Sequence, residues 1–88
     1  DFNNANLVGA YLEDVNFYFA NFNNAKLQRA VLFVSNLKHT NLKCADMRNI
    51  YAEATDFSNA QMQRVNLVNA YLNEAFFIGT DLSCATLT

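Results

Sequence analysis

The sequence predicts an all-β solenoid, a chain wound into stacked coils around an interior made of its own side chains. Three observations carry that expectation. A large apolar residue returns at every fifth position from Phe2 to Leu87. A small residue sits two places before each of them, from Ala5 to Ala85. Nothing interrupts the pattern: proline is absent and Gly9 and Gly79 are the only glycines. A fixed repeat carried end to end decides architecture before local propensity does.

The large series runs Phe2, Leu7, Leu12, Phe17, Phe22, Leu27, Leu32, Leu37, Leu42, Met47, Ala52, Phe57, Met62, Leu67, Leu72, Phe77, Leu82, Leu87, and Ala52 alone is out of class. A period of five fits neither the helix period of 3.6 nor the strand period of two. A small-x-large triplet points two side chains inward with one outward between them, which is short extended backbone. The next two residues must turn outward and carry the chain to a new face. The repeat therefore winds the chain into a coil filled by its own side chains.

The clearest copies are Ala5-Asn6-Leu7, Ala20-Asn21-Phe22, Ala45-Asp46-Met47, Thr55-Asp56-Phe57 and Thr80-Asp81-Leu82. They resemble the pentapeptide-repeat family, whose motif is a small residue, Asp or Asn, Leu or Phe, then two variable residues. The likeness covers the whole chain. It implies a right-handed quadrilateral β-helix with four pentapeptide repeats per coil, about four and a half coils in all, as one domain over residues 1–88.

Four repeats per coil place residue n against residue n+20, with coils roughly 4.8 Å apart. The interior then separates into four faces. The first stacks Phe2, Phe22, Leu42, Met62 and Leu82, and the second Leu7, Leu27, Met47, Leu67 and Leu87. The third holds Leu12, Leu32, Ala52 and Leu72, and the fourth Phe17, Leu37, Phe57 and Phe77. On the third face the small column reads Ala10, Ala30, Ile50, Ala70, so Ile50 is expected to fill the volume that Ala52 vacates. Asn21 and Asn41, Asn16 and Asn36, Asn3 and Asn23, and Asn4 and Asn24 share outside columns, where stacked amides are expected to form hydrogen-bonded ladders.

Composition excludes several function classes. Six basic residues against eight acidic ones give a net charge of −2, without a run of either sign. That is no footprint for nucleic acid or for an anionic membrane. No apolar stretch approaches a membrane span. The chain begins without Met and shows no signal peptide, so its N-terminus is read as cut or processed. Cys44 and Cys84 share a corner column with Arg64 between them, roughly 9.5 Å apart and too far for a disulfide. Free thiols, with no signal or membrane segment, point to a cytoplasmic setting.

The third face differs from the other three. Outside it carries Tyr11, Val31, Tyr51 and Tyr71 before the core residue, and Glu13, Phe33, Glu53 and Asn73 after it. Asp14 and Glu74 add charge, and no Lys or Arg joins them. Two readings fit. The face is a protein-binding surface, since aromatic residues are favoured interface anchors, or its rings pair between coils and stiffen the wall. Glu13 and Glu53 have a spacing near that of an inverting glycosidase pair, but they flank Phe33 on a wall without a groove. His39 has no acid or nucleophile beside it and reads as a surface histidine.

The expected function is a non-enzymatic scaffold, or protein–protein interaction module, without cofactor or metal. Its partner-binding residues are Tyr11, Glu13, Val31, Phe33, Tyr51, Glu53 and Tyr71. The partner is a protein, not nucleic acid or membrane. The bare coil ends are also expected to support end-to-end self-association or a dimer, since no capping helix flanks the repeats. The family resemblance implies a second function: some members mimic duplex DNA and bind a type II topoisomerase (gyrase). Such mimicry needs a long rod with acids spread over it, whereas this chain makes little more than four coils. A third reading makes the chain the repeat region of a larger multidomain protein.

Overall fold

Every pentapeptide folds the same way. One residue bridges to the chain twenty positions on, the next enters the interior, two make a turn, and the fifth returns inward. The computed structural model describes residues 1–88. All bridges are parallel and pair n with n+20: Asn6–Lys26–Asp46–Asn66–Thr86 on the second face, and Tyr11–Val31–Tyr51–Tyr71 on the third. Asn16–Asn36–Asp56–Phe76 follow on the fourth, and Asn21–Asn41–Gln61–Asp81 on the first. The β-structure consists of these isolated bridges, without longer strands or helices. A turn every five residues leaves too little extended backbone for more.

The turns share one hydrogen bond, from the small residue's N–H to the carbonyl of the core residue three positions earlier, as from Ala5 N to Phe2 O at 2.9 Å. The residue between them nearest the small one has φ between 58° and 70° in every repeat from Asn4 to Cys84. A positive φ at the third turn position alone is the sign pattern of a type II turn. Asn and Gly suit it, yet Phe19, Val34 and Arg29 adopt it as well. Their neighbours in the stack hold them there against the usual steric preference.

Three further bonds per repeat tie the coils together. Leu27 N donates to Asp46 O at 2.8 Å, Arg29 N to Arg48 O at 3.1 Å, and Lys26 N back to Ala5 O at 2.9 Å. One turn departs from the rule. Val15 N donates instead to Ser35 Oγ at 3.1 Å, and that hydroxyl donates to Leu12 O at 2.8 Å. Buried hydroxyls on the small column thus replace or reinforce the backbone ladder. Thr40 Oγ1 donates to Leu37 O and Thr55 Oγ1 to Leu32 O, so the interior keeps its polar groups paired.

The core is the large column of the middle coils, Phe22 through Leu67, with the small column between. Its burial stabilises the stack at about 25 cal/mol per Å² of apolar area removed from water. Rings stack along the axis, Phe2 on Phe22 at 5.0 Å and Phe57 on Phe77 at 5.2 Å between centroids. Ile50 and Ala52 are both fully enclosed, as the size exchange requires.

The asparagine columns work differently from the expected ladders. No hydrogen bond joins the side-chain amides of Asn21 and Asn41 or of Asn16 and Asn36. Each side-chain oxygen accepts the backbone N–H two residues on: Asn21 from Asn23 at 3.0 Å, Asn36 from Lys38 at 3.0 Å, Asn41 from Lys43 at 3.1 Å. These are Asx turns. The nearby turn N–H has no partner in the adjacent coil, so it competes successfully for the side-chain oxygen.

Candidate functional site on the third face

The Asx turn marks where the third face diverges. On the first face Asp1, Asn21, Asn41 and Asp81 cap the turn that follows, on the second Asn6, Asp46 and Asn66, and on the fourth Asn16, Asn36 and Asp56. The third face has no such cap. Its bridge positions are Tyr11, Val31, Tyr51 and Tyr71, none of which can accept the turn N–H in this geometry. The turn N–H groups of Glu13, Phe33, Glu53 and Asn73 have no hydrogen-bond partner within the chain. The backbone is unchanged; the side chains do something else.

Tyr51 and Tyr71 stack face to face, 4.9 Å between centroids with planes 1° apart. Phe33 meets Tyr51 edge-on at 6.4 Å. Phe33 is half-buried, as are Val31 and Glu53, so these three do not stand free of the wall as the sequence suggests. At a coil spacing of roughly 4.8 Å the adjacent side chains cover their flanks. The tyrosines remain exposed: Tyr11 by 72%, Tyr71 by 48% and Tyr51 by 36%. The structure thus brings Phe33, Tyr51 and Tyr71 into one cluster. Tyr11 stands apart in the same column.

Tyr11 is held by its neighbour. Its hydroxyl donates to Glu13 Oε1 at 2.7 Å, and that hydrogen bond to the carboxylate, followed by the carboxylate's charge, raises the phenol above its ordinary range. Glu53 Oε1 is enclosed and lacks a hydrogen-bond partner. Glu13, Asp14, Glu53 and Glu74 form no ion pair; the two in the structure are Arg48 with Asp46 and Lys38 with Asp56, on other faces. The face is therefore an uncompensated acidic field around an aromatic centre.

A second aromatic group escaped the sequence reading. At the corner of the fourth face Phe19 stacks on His39 at 4.9 Å, and Tyr18 meets both rings edge-on. The available signal was the adjacent aromatics Tyr18 and Phe19 at one corner, with His39 next in the Phe19 column. His39 is a half-buried ring in this stack. No helix is long and apolar enough to cross a membrane.

A family model described as pentapeptide repeats matches residues 1–32, 35–67 and 60–88. Among solved structures, the chain is similar to HetL, a pentapeptide repeat protein involved in heterocyst differentiation regulation from the cyanobacterium Nostoc. That likeness has 23% identity and a TM-score of 0.55, over 94% of this chain and 43% of that one. A pentapeptide repeat protein from the thylakoid lumen of Arabidopsis thaliana matches at 24% identity and a TM-score of 0.48, over 91% of this chain and 59% of that one. Rfr23, from the cyanobacterium Cyanothece, matches at 21% and 0.42, over 96% and 65%. The chain spans less than two thirds of each of these proteins. No curated protein sequence matches it. The family match and the HetL likeness give the fold as a right-handed β-helix.

Proposed function

Since the chain belongs to the pentapeptide-repeat family, we propose that it is a non-enzymatic scaffold whose third face binds a protein with a basic rim and an apolar centre. The observation that carries this reading is the missing set of Asx caps. Three faces use most of their bridge positions to hold their own turns, Lys26, Gln61, Phe76 and Thr86 being the exceptions; the third uses none, and places Tyr11, Val31, Tyr51 and Tyr71 there. Positions where a chain departs from its own local rule are where function is expected. Stacked rings preorganise the surface, because Tyr51 and Tyr71 lose little freedom on binding. The unpaired acids around them steer a basic partner and repel DNA. The four faces are inferred to close as a quadrilateral, about four and a half coils tall, which sets the third face apart from the cationic second face. Regulation, the role named for HetL, is one setting for such a scaffold.

The test compares two double variants in capture from native extract. Tyr51→Ala with Phe33→Ala should lose most of the partner. Lys26→Ala with Arg29→Ala, on the second face, should keep it. Because Phe33 is half-buried, Tyr11→Ala with Tyr71→Ala serves as a second aromatic variant if the first melts early. Loss of the partner in the basic variant alone would place the site on the wrong face. Capture of a type II topoisomerase regardless of the tyrosines would favour DNA mimicry instead.

A further inference from the structure

Two exposed thiols share one surface depression with two cations. Cys44, Arg64 and Cys84 occupy successive left-handed corner positions of the first face. The hydrogen bonds from Cys44 N to Gln63 O at 3.0 Å and from Arg64 N to Ser83 O at 2.9 Å fix these corners over one another. They line an open surface depression of about 390 Å³, together with Lys43, Gln63 and Ser83. Both cysteines are free and exposed. Neither Lys43 nor Arg64 is in an ion pair. Asp81, the nearby acid, is engaged by Gln63 Nε2 at 2.9 Å and by Ser83 N at 3.0 Å. These neutral donors leave Asp81 its negative charge, part of which Lys43 offsets, so two cations against one carboxylate leave the depression a single net positive charge beside two sulfur atoms.

The spacing limits what these thiols can do. Two coil steps separate them, roughly 9.6 Å, beyond the Cα separation a disulfide spans. One metal ion cannot take both, since a thiolate–zinc bond is about 2.3 Å. Each thiol must react with something from outside, and a positive depression concentrates anions.

We propose that this corner is a thiol-modification site that forms mixed disulfides with small anionic disulfides, those bearing carboxylates beside the sulfur pair, as in glutathione disulfide. The cysteine gives its proton to solvent and its thiolate attacks one sulfur of the reagent. The reagent's S–S bond breaks and its electron pair leaves with the other half as a thiolate. The cysteine sulfur is oxidised and the departing half is reduced. Lys43 and Arg64 hold the reagent's carboxylates during approach. The second cysteine is out of reach of the adduct, so each adduct persists until an external thiol removes it, and both positions load independently.

The experiment measures reaction of the whole chain with anionic dithiobis(nitrobenzoate) and with cationic cystamine. Each rate is divided by that of the same reagent with a small neutral thiol. At low salt the normalised rate for the anion should exceed that for the cation by about tenfold, and the ratio should collapse towards unity at high salt. Lys43→Gln with Arg64→Gln should remove most of the ratio. Glutathione disulfide should add one adduct at each cysteine, assigned by mass in Cys44→Ser and Cys84→Ser. Equal normalised rates, a ratio indifferent to salt, or a disulfide closed within one chain would each overturn the proposal. Reagent charge and salt are tested on the unaltered chain, so the result does not depend on the charge variant folding.

Discussion

The third and fourth faces share a backbone and differ in how they secure their turns. On the fourth face Asn16, Asn36 and Asp56 each accept the turn N–H two residues on, at 2.9–3.0 Å. On the third face Tyr51 and Tyr71 reach along the axis and stack at 4.9 Å. The first arrangement holds each repeat by itself; the second holds one coil to the next. A repeat scaffold can thus shift its stabilisation from within the repeat to between repeats, and the shift leaves aromatic surface on the outside.

The largest effect expected lies beneath the third face. Ile50→Ala removes a fully enclosed side chain and should cost about 2–5 kcal/mol in urea unfolding. Ala52→Leu should overpack and cost about 1–3 kcal/mol. The two changes together should be milder than their sum. A double variant weaker than that sum would mean the size exchange is no compensation.

Caps come next. Asn36→Ala strips the bond to Lys38 N and should cost about 1 kcal/mol. Tyr11→Asn makes the reverse move. Tyr11 is well exposed and stacks on no other ring, so an Asn there can cap Glu13 N and should stabilise by about 0.5–1 kcal/mol. If Tyr11→Asn destabilises, the third face is not short of caps in any sense that matters to stability.

Charge effects are smaller still. The Arg48 guanidinium, hydrogen-bonded to Asp46 at 2.6 and 2.8 Å, holds that carboxyl below the ordinary 3.8. A carboxyl lowered by folding stabilises above its unfolded pKa and loses that contribution as pH falls through the folded value. Asp46→Asn, which keeps the Asx oxygen, should therefore flatten the loss of melting temperature below about pH 4 by the few tenths of a kcal/mol of an exposed pair. An unchanged acid limb would show that the pair contributes nothing.

The smallest is spectroscopic. The Glu13 carboxylate raises the Tyr11 phenol above 10.0. A raised pKa means the favourable contact is intact below the unfolded value and is lost as pH rises through the folded one. In ultraviolet titration Glu13→Gln should bring one tyrosine down towards its ordinary range, with at most a slight fall in melting temperature at neutral pH, where the contact is intact. A titration curve identical to that of the parent would remove Glu13 from the account.

The interior was legible because it obeys a single period. Leu32, Leu37 and Leu42 had to point inward, and Ile50 opposite Ala52 could be recognised from size alone. The outer chemistry was less legible. The Asn36 and Asn41 columns suggested ladders because the spacing brings the amides close; the free turn N–H two residues on offers the better partner. Val34 and Phe19 sit at left-handed corners that local preference disfavours, since the stack outweighs the individual residue. Phe33 looked outward by alternation, but neighbouring coils cover half of it. The tyrosine column was correctly placed by counting. Counting could not show which rings touch.

Pairing of n with n+20 makes the surface addressable in steps of five. Suppose one pentapeptide were inserted between Ala45 and Asp46. Every later repeat still offers a small and a large residue at the same places, so the interior is served as before. Outside, everything downstream advances by one face: Tyr51 and Tyr71 leave the line of Tyr11 and Val31 and join that of Asn16 and Asn36. An insertion of twenty residues instead lengthens the column and keeps its alignment. Like a combination dial, the chain can rotate half of its outer lettering against the other half while the lock body stays whole.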